Sequence, residues 1–147
     1  MNNKIKFPGV KVVKLTTGPV YVKYVRYEFE QGLDVDGRLE ALYKALHCDT
    51  VQIVNLTIDG KRYAVFFDEE GKINGPWVPT LPLYDKHNKC YDIIPGNFVV
   101  VKEDEDENFL PMTTEEISIV EDYLAAAVPQ AAEIVRKMVA EKEQMYD

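Results

Sequence analysis

A chain of 147 residues, 46% hydrophobic and 29% charged, is long enough and apolar enough to bury a core without a metal or a disulfide framework. A formal net charge of −8 argues against duplex nucleic acid as the main ligand, because counterion release needs a basic footprint over several phosphates. No run reaches the roughly 18 apolar residues that would span a bilayer, which argues against a membrane partner.

Met1–Lys6 lacks the apolar centre and cleavage site of a secretory leader, and Cys48 and Cys90 read as reduced thiols, so a cytoplasmic location is expected. The charge is unevenly spread. Up to Tyr63 there are ten basic and seven acidic side chains; from Ala64 onward there are seven basic and eighteen acidic. Lys4, Lys6, Lys11, Lys14, Lys23 and Arg26 precede the first acid of the chain, a region able to hold a small anion.

In chain order, the β-branched and aromatic runs Val10–Leu15 and Val20–Phe29 flank Thr16-Thr17-Gly18-Pro19 and predict a hairpin. After Gly32, Leu39, Leu42, Tyr43 and Leu46 recur at helical spacing, with Asp36 as the expected N-cap. Val51–Ile58 and Lys61–Phe67 flank Asp59-Gly60, which suits a type I′ turn because both central residues need positive φ. Asp68 to Pro95 is rich in Gly and Pro, so regular structure is not expected there; such long irregular segments are often functional. Asn97–Lys102 reads as a buried strand and Glu103–Glu107 as an exposed loop.

Thr113 and Glu116 form a capping box, and Met112 and Ile117 the matching hydrophobic staple, so a helix begins here with Ile117, Val120 and Leu124 on its apolar face. Pro129 is expected to end or kink it, and Ala131–Met145 to form another helix with Ile134, Val135, Met138 and Val139 at helical spacing. The pattern as a whole predicts an α+β fold: a mostly antiparallel sheet with one early helix and two C-terminal helices.

The order of Arg38-Leu39-Glu40-Ala41-Leu42, a hairpin, Asp68-Glu69-Glu70-Gly71-Lys72, Tyr91-Asp92-Ile93-Ile94-Pro95-Gly96 and a Thr-Thr-Glu-Glu helix start resembles the domain-of-unknown-function family numbered 3846. That family is spread through phages, plasmids and conjugative elements. The resemblance runs from about Val35 to Leu124. The length predicts a single domain, in which a basic β-hairpin extension over 1–34 and a C-terminal helix over 129–147 flank a family-like core over 35–124. Family members carry an Asn-Arg pair after their Gly-Lys-Leu element; here Asn74–Thr80 contains no Arg.

Several chemical readings meet simpler ones. Asp68, Glu69 and Glu70 sit where a strand-end turn places solvated acids in any case, and Glu103–Glu107 lacks the spacing of a Ca²⁺ loop. His47, Cys48, His87 and Cys90 could form a metal set on paper, but adjacent ligands are unusual; no metal or cofactor is expected. No phosphate-cradling glycine pattern is present. Two groups carry a binding reading. Tyr21, Lys23 and Tyr27 share one face of a strand and Arg26 occupies the other, a platform for stacking a base and pairing its phosphate. Trp77, Tyr84, Lys86 and His87 lie on the Pro-rich segment, where loops carry binding residues disproportionately.

These observations lead to a non-catalytic accessory protein of a phage or other mobile element, an anti-defence protein that sequesters a small nucleotide-like signal or blocks a host defence protein. Alternatives are an acidic protein-binding inhibitor that imitates nucleic acid and a small nucleotide-handling enzyme. The surplus apolar stripe after Pro129 suggests a homodimer or higher homo-oligomer.

Overall fold

Strand alternation on either side of two glycine-containing turns folds the first half of the chain into two hairpins with a helix between them. The computed structural model describes residues 4–14, 17–18, 20–68, 70 and 78–146. In chain order the elements are β1 (Lys4–Lys14), β2 (Val20–Glu30), α1 (Val35–Leu46), β3 (Val51–Ile58) and β4 (Lys61–Asp68). There follow β5 (Pro79–Tyr84), β6 (Cys90–Pro95), β7 (Phe98–Glu103), β8 (Phe109–Leu110) and α2 (Thr114–Tyr146).

β1 and β2 pair from Lys4↔Glu30 to Lys14↔Val20, a longer hairpin than the apolar run alone marks out. β3 and β4 close on Asp59 and Gly60 with φ of 52° and 75°, the two left-handed residues that the type I′ turn requires. β7 enters between the hairpins, pairing with β1 at Gly9 and Val10 and with β4 over Ala64–Phe67. The sheet order is β2-β1-β7-β4-β3, with β8 folded back on β7, and every pairing is antiparallel. β5 and β6 form a separate two-stranded ribbon.

Tyr63–Phe67 and Phe98–Val101 are buried without a polar break, which an antiparallel strand shows only when both faces of its sheet are covered. One face packs Phe7, Tyr27, Phe29, Phe66 and Val99 against Leu42 and Leu46 of α1. Phe109 meets Phe7, Phe29 and Phe66 there, with ring centroids 5.6–6.0 Å apart across the cluster. The other face packs Val10, Val65, Phe98 and Val100 against Val120, Leu124 and Val128 of α2 and Leu81, Leu83 and Ile94 of the ribbon. Each such side chain contributes about 1.5–3 kcal/mol on burial. At Gly9 the β1–β7 approach leaves no room for a side chain: a Cβ would stand 2.3 Å from the Phe98 carbonyl oxygen and 2.7 Å from the Tyr27 ring.

The helices differ from the sequence expectation. Instead of two C-terminal helices there is one, α2, of 33 residues with Pro129 inside it. Pro129 and Ala125, the residue whose carbonyl loses its helical donor, both face solvent, so water can satisfy that oxygen. Ala127, Val128 and Ala131, on either side of the proline, are buried on the other side. The N-cap of α1 is Asp34 rather than Asp36: its extended backbone lets the side chain accept from the Gly37 N–H at 2.7 Å, and Asp36 falls in the first turn. The Pro-rich segment contains β5 and β6. Prolines 79, 82 and 95 are tolerated because each ribbon strand has a partner on one side only. Fully buried Thr80 ties the ribbon together, its hydroxyl 2.9 Å from the Ile94 carbonyl oxygen and 2.7 Å from that of Gly96.

Among the described residues no helix is long and apolar enough to cross a membrane.

Candidate functional site

On β2, alternation separates the expected platform as predicted, but the faces meet different surroundings. Tyr27 is 9% exposed; its ring lies against Gly9 and its hydroxyl donates to the Val10 carbonyl at 2.8 Å, so its role is in the core. Arg26 makes two hydrogen bonds to the Glu121 carboxylate on α2, at 3.0 and 2.8 Å, which hold Glu121 below the usual carboxylate range. Tyr21 and Lys23 remain exposed. Lys23 stands directly opposite Lys11, a like-charge pair that disfavours the hairpin slightly.

The second group is brought partly together. Trp77 lies outside the described residues, as do most of the positions compared with the family's Asn-Arg stretch. Tyr84 ends β5, and Lys86 and His87 lie in the turn to β6. Asp85 builds that turn: its carboxylate accepts from the N–H groups of His87 and Lys89 at 2.8 and 3.0 Å, while Asn88 takes the left-handed conformation at φ 64°. The turn sits beside β3 and the middle of α2, and together they enclose a cleft of about 650 Å³ lined by Asn55, Thr57, Tyr84, Lys86, Tyr123 and Gln130 among others. No β2 residue lines it, so the two expected groups do not form one site.

Tyr84 donates its hydroxyl to Gln130 Oε1. Burial raises the pKa of Tyr84, with the Cys90 thiol adding to it, and burial together with Tyr84 raises that of Tyr123. Both phenols are therefore protonated donors at neutral pH. Ala126 and Ala127 of α2 also line the cleft, side chains too small to fill it. Tyr123, Gln130, Asn55 and Thr57 were not singled out from the sequence. The available signal was the seven-residue spacing of Tyr123 and Gln130, two helical turns on one face, across an alanine run.

The other candidates resolve locally. Asp68 accepts from the Glu70 N–H at 2.9 Å in a strand-end turn. Asp104 accepts from the Asn108 and Asp106 N–H groups, which lower its pKa and shape the acidic loop. His47 takes φ 54° to terminate α1. Cys48 packs on the α1 face, where burial raises its thiol to about 11. Cys90 instead lines a groove beside α2 on the opposite face, so the four residues of the paper metal set are divided between the two sides of the sheet. Among the described residues no group of three or more His, Cys, Asp and Glu side chains could hold a metal ion.

Comparison with curated proteins and with solved structures yields no match. A family model does match, over residues 11–125. That span takes in the end of β1 and all of β2 and runs into α2, starting earlier than the resemblance from about Val35; Lys4–Val10 of β1 and the part of α2 beyond Ala125 lie outside it. The chain belongs to the family described as a domain of unknown function, DUF3846.

Proposed function

We propose that this protein is a non-catalytic binding protein of a phage or other mobile element that sequesters a small nucleotide-like signal of host defence in the host cytoplasm. The observation that carries this reading is the cleft between the β5–β6 turn, β3 and α2, where two tyrosines, a lysine and several amide and hydroxyl groups converge. Tyrosine rings stack on any base, amides and hydroxyls read its edges, and Lys86 can meet a phosphate. Tyr84 gives its hydroxyl proton to Gln130 Oε1, so its oxygen is left to accept from a ligand. Imitation of nucleic acid draws less support. Glu116, Glu121 and Glu133, which would have to form part of an acidic face on α2, are each paired with a lysine or arginine of the chain itself.

Calorimetric titration against a panel of cyclic and linear nucleotides tests the reading. One nucleotide should bind, and Tyr84→Ala or Tyr123→Ala should each weaken it roughly tenfold or more, since a stacked base contributes about 1–3 kcal/mol. Lys86→Ala should weaken a phosphorylated ligand but not the matching nucleoside. Absence of binding across the panel, or binding that none of the three variants alters, would overturn the assignment.

A further inference from the structure

We infer that the free edge of β3 binds an extended basic segment of a partner protein as an added antiparallel strand, with lysines or arginines alternating over the acidic loop between β7 and β8. The inference goes beyond the nucleotide reading, and Val51 and Ile53, where this edge starts, lie outside the tyrosine cleft. β3 ends the sheet. Its two-residue turn makes Ile58 and Lys61 a hydrogen-bonded pair, and antiparallel alternation then makes Leu56, Val54 and Gln52 the other residues that bond to β4. The N–H and C=O groups of Val51, Ile53, Asn55 and Thr57 therefore point away from β4, and among the described residues no backbone group bonds to them. Sheet edges are ordinarily guarded by charge, proline or a bulge. β2, at the other edge, carries Lys23, Arg26, Glu28 and Glu30. β3 has no charged residue and no proline, pairs without a bulge, and leaves Ile53 46% exposed. An uncovered, uncharged edge of this kind is a template for strand addition.

Charge selects the occupant. Ile53 and Asn55 stand opposite Phe66 and Ala64, on the sheet face that carries α1, and with Arg62 they line a cleft of about 600 Å³. Its other wall is the loop after β7, with Glu103, Asp104, Glu105 and Glu107, so four carboxylates meet one guanidinium. Arg38, the other base near that loop, is engaged by the Leu33 carbonyl and Asn108. Burial and then Glu107 raise the pKa of Glu103 in spite of Arg38 and Arg62, as befits a cleft short of positive charge. On an added antiparallel strand, the residues directly opposite Ile53 and Asn55 bond to them and point to this same face. Lysine or arginine there reaches the carboxylates. A second copy fits this edge worse. Two β3 strands paired antiparallel are related by a two-fold axis normal to the sheet, which puts both acidic loops on one face beside the new pair, where they repel.

Fluorescence anisotropy of a labelled peptide as long as β3, alternating lysine and valine, tests this with the full chain at physiological salt. The peptide should bind, and the same peptide with glutamate for lysine should not. Methylating the backbone nitrogens of the lysines keeps their charge but removes the donors that face β3, and should weaken binding at least about tenfold. Ile53→Pro should do the same with its circular dichroism unchanged, because the N–H it removes points away from β4. Ile53→Lys sets a like charge on the edge and leaves the backbone intact; it should weaken binding too, as should Glu105→Lys combined with Glu107→Lys. No binding of the lysine peptide, or binding indifferent to methylation or to both Ile53 variants, would overturn the added strand. Equal binding of the glutamate peptide, or no loss with the two charge reversals, would overturn the basic partner. A dimer in sedimentation velocity that Ile53→Lys converts to monomer would give the edge to a second copy and overturn the inference as well.

Discussion

Glu116 is the residue on which the start of α2 depends. Its carboxylate accepts from the Thr113 N–H at 2.9 Å, while the Glu116 N–H donates to Thr113 Oγ1 at 3.0 Å, the reciprocal capping box expected from the sequence. What the sequence did not reveal is that Lys102, from β7, reaches the same carboxylate at 3.0 Å and Lys61, from β4, at 3.5 Å. The side chain is only 3% exposed, and chiefly the Thr113 N–H, with Lys102, holds its pKa down to about 2. A carboxylate depressed on folding stabilises the folded state above its unfolded pKa and loses that contribution as pH falls toward the folded one. The effect here is on the order of 2–3 kcal/mol at neutral pH, lost between about pH 5 and pH 2. Glu116→Gln keeps an acceptor for the cap but removes the countercharge to both lysines. It should lower neutral-pH stability by about 1–3 kcal/mol and flatten this part of the acid limb. Denaturation by urea at a series of pH values checks both, and an unchanged acid limb would show that other carboxylates dominate it.

At the scale of elements, α2 shows packing overriding local preference. A proline within a helix costs about 3 kcal/mol relative to alanine, enough to justify expecting two helices. The alanines around it are strong helix formers; Ala127 and Val128 before the proline pack in the core of sheet and ribbon, and Ala131 after it is buried as well. Pro129→Ala should therefore stabilise the protein, by up to about 3 kcal/mol, because it restores a hydrogen bond without disturbing a buried face. A lower melting temperature for this variant would mean that the helix geometry set by Pro129 is needed to keep α2 on the ribbon. The ribbon gives the same lesson from strands: its prolines read as punctuation, yet a two-stranded element has unpaired edges on which a missing N–H costs little.

For the whole molecule, α1 and α2 cover opposite faces of one sheet whose central strands, β4 and β7, serve both cores. Neither core is complete without those strands, so the two should melt together. Leu42→Ala beneath α1 and Leu124→Ala beneath α2 each empty a site only 1% exposed and should each cost about 2–5 kcal/mol. Both variants should retain a single transition, coincident by far-ultraviolet dichroism and tyrosine fluorescence. A second transition in either one would show that the faces unfold separately.

Local chemistry carried the features legible in the sequence. Asp59-Gly60 determined a turn because glycine and aspartate tolerate positive φ, Thr113 and Glu116 determined a helix start because their side chains fit its orphan N–H groups, and the runs in β3, β4 and β7 determined strands. The tertiary structure decided what depended on distant partners. It placed Tyr27 in the core against Gly9 and gave Arg26 to Glu121, although both looked available on an isolated strand. It also put Tyr84 and Lys86 beside Tyr123 and Gln130, some forty residues further along the chain. Strand alternation assigns a side chain to a face; which layer covers that face, and so whether the residue meets core, counter-ion or cleft, is settled only when α1, α2 and the ribbon pack on the sheet.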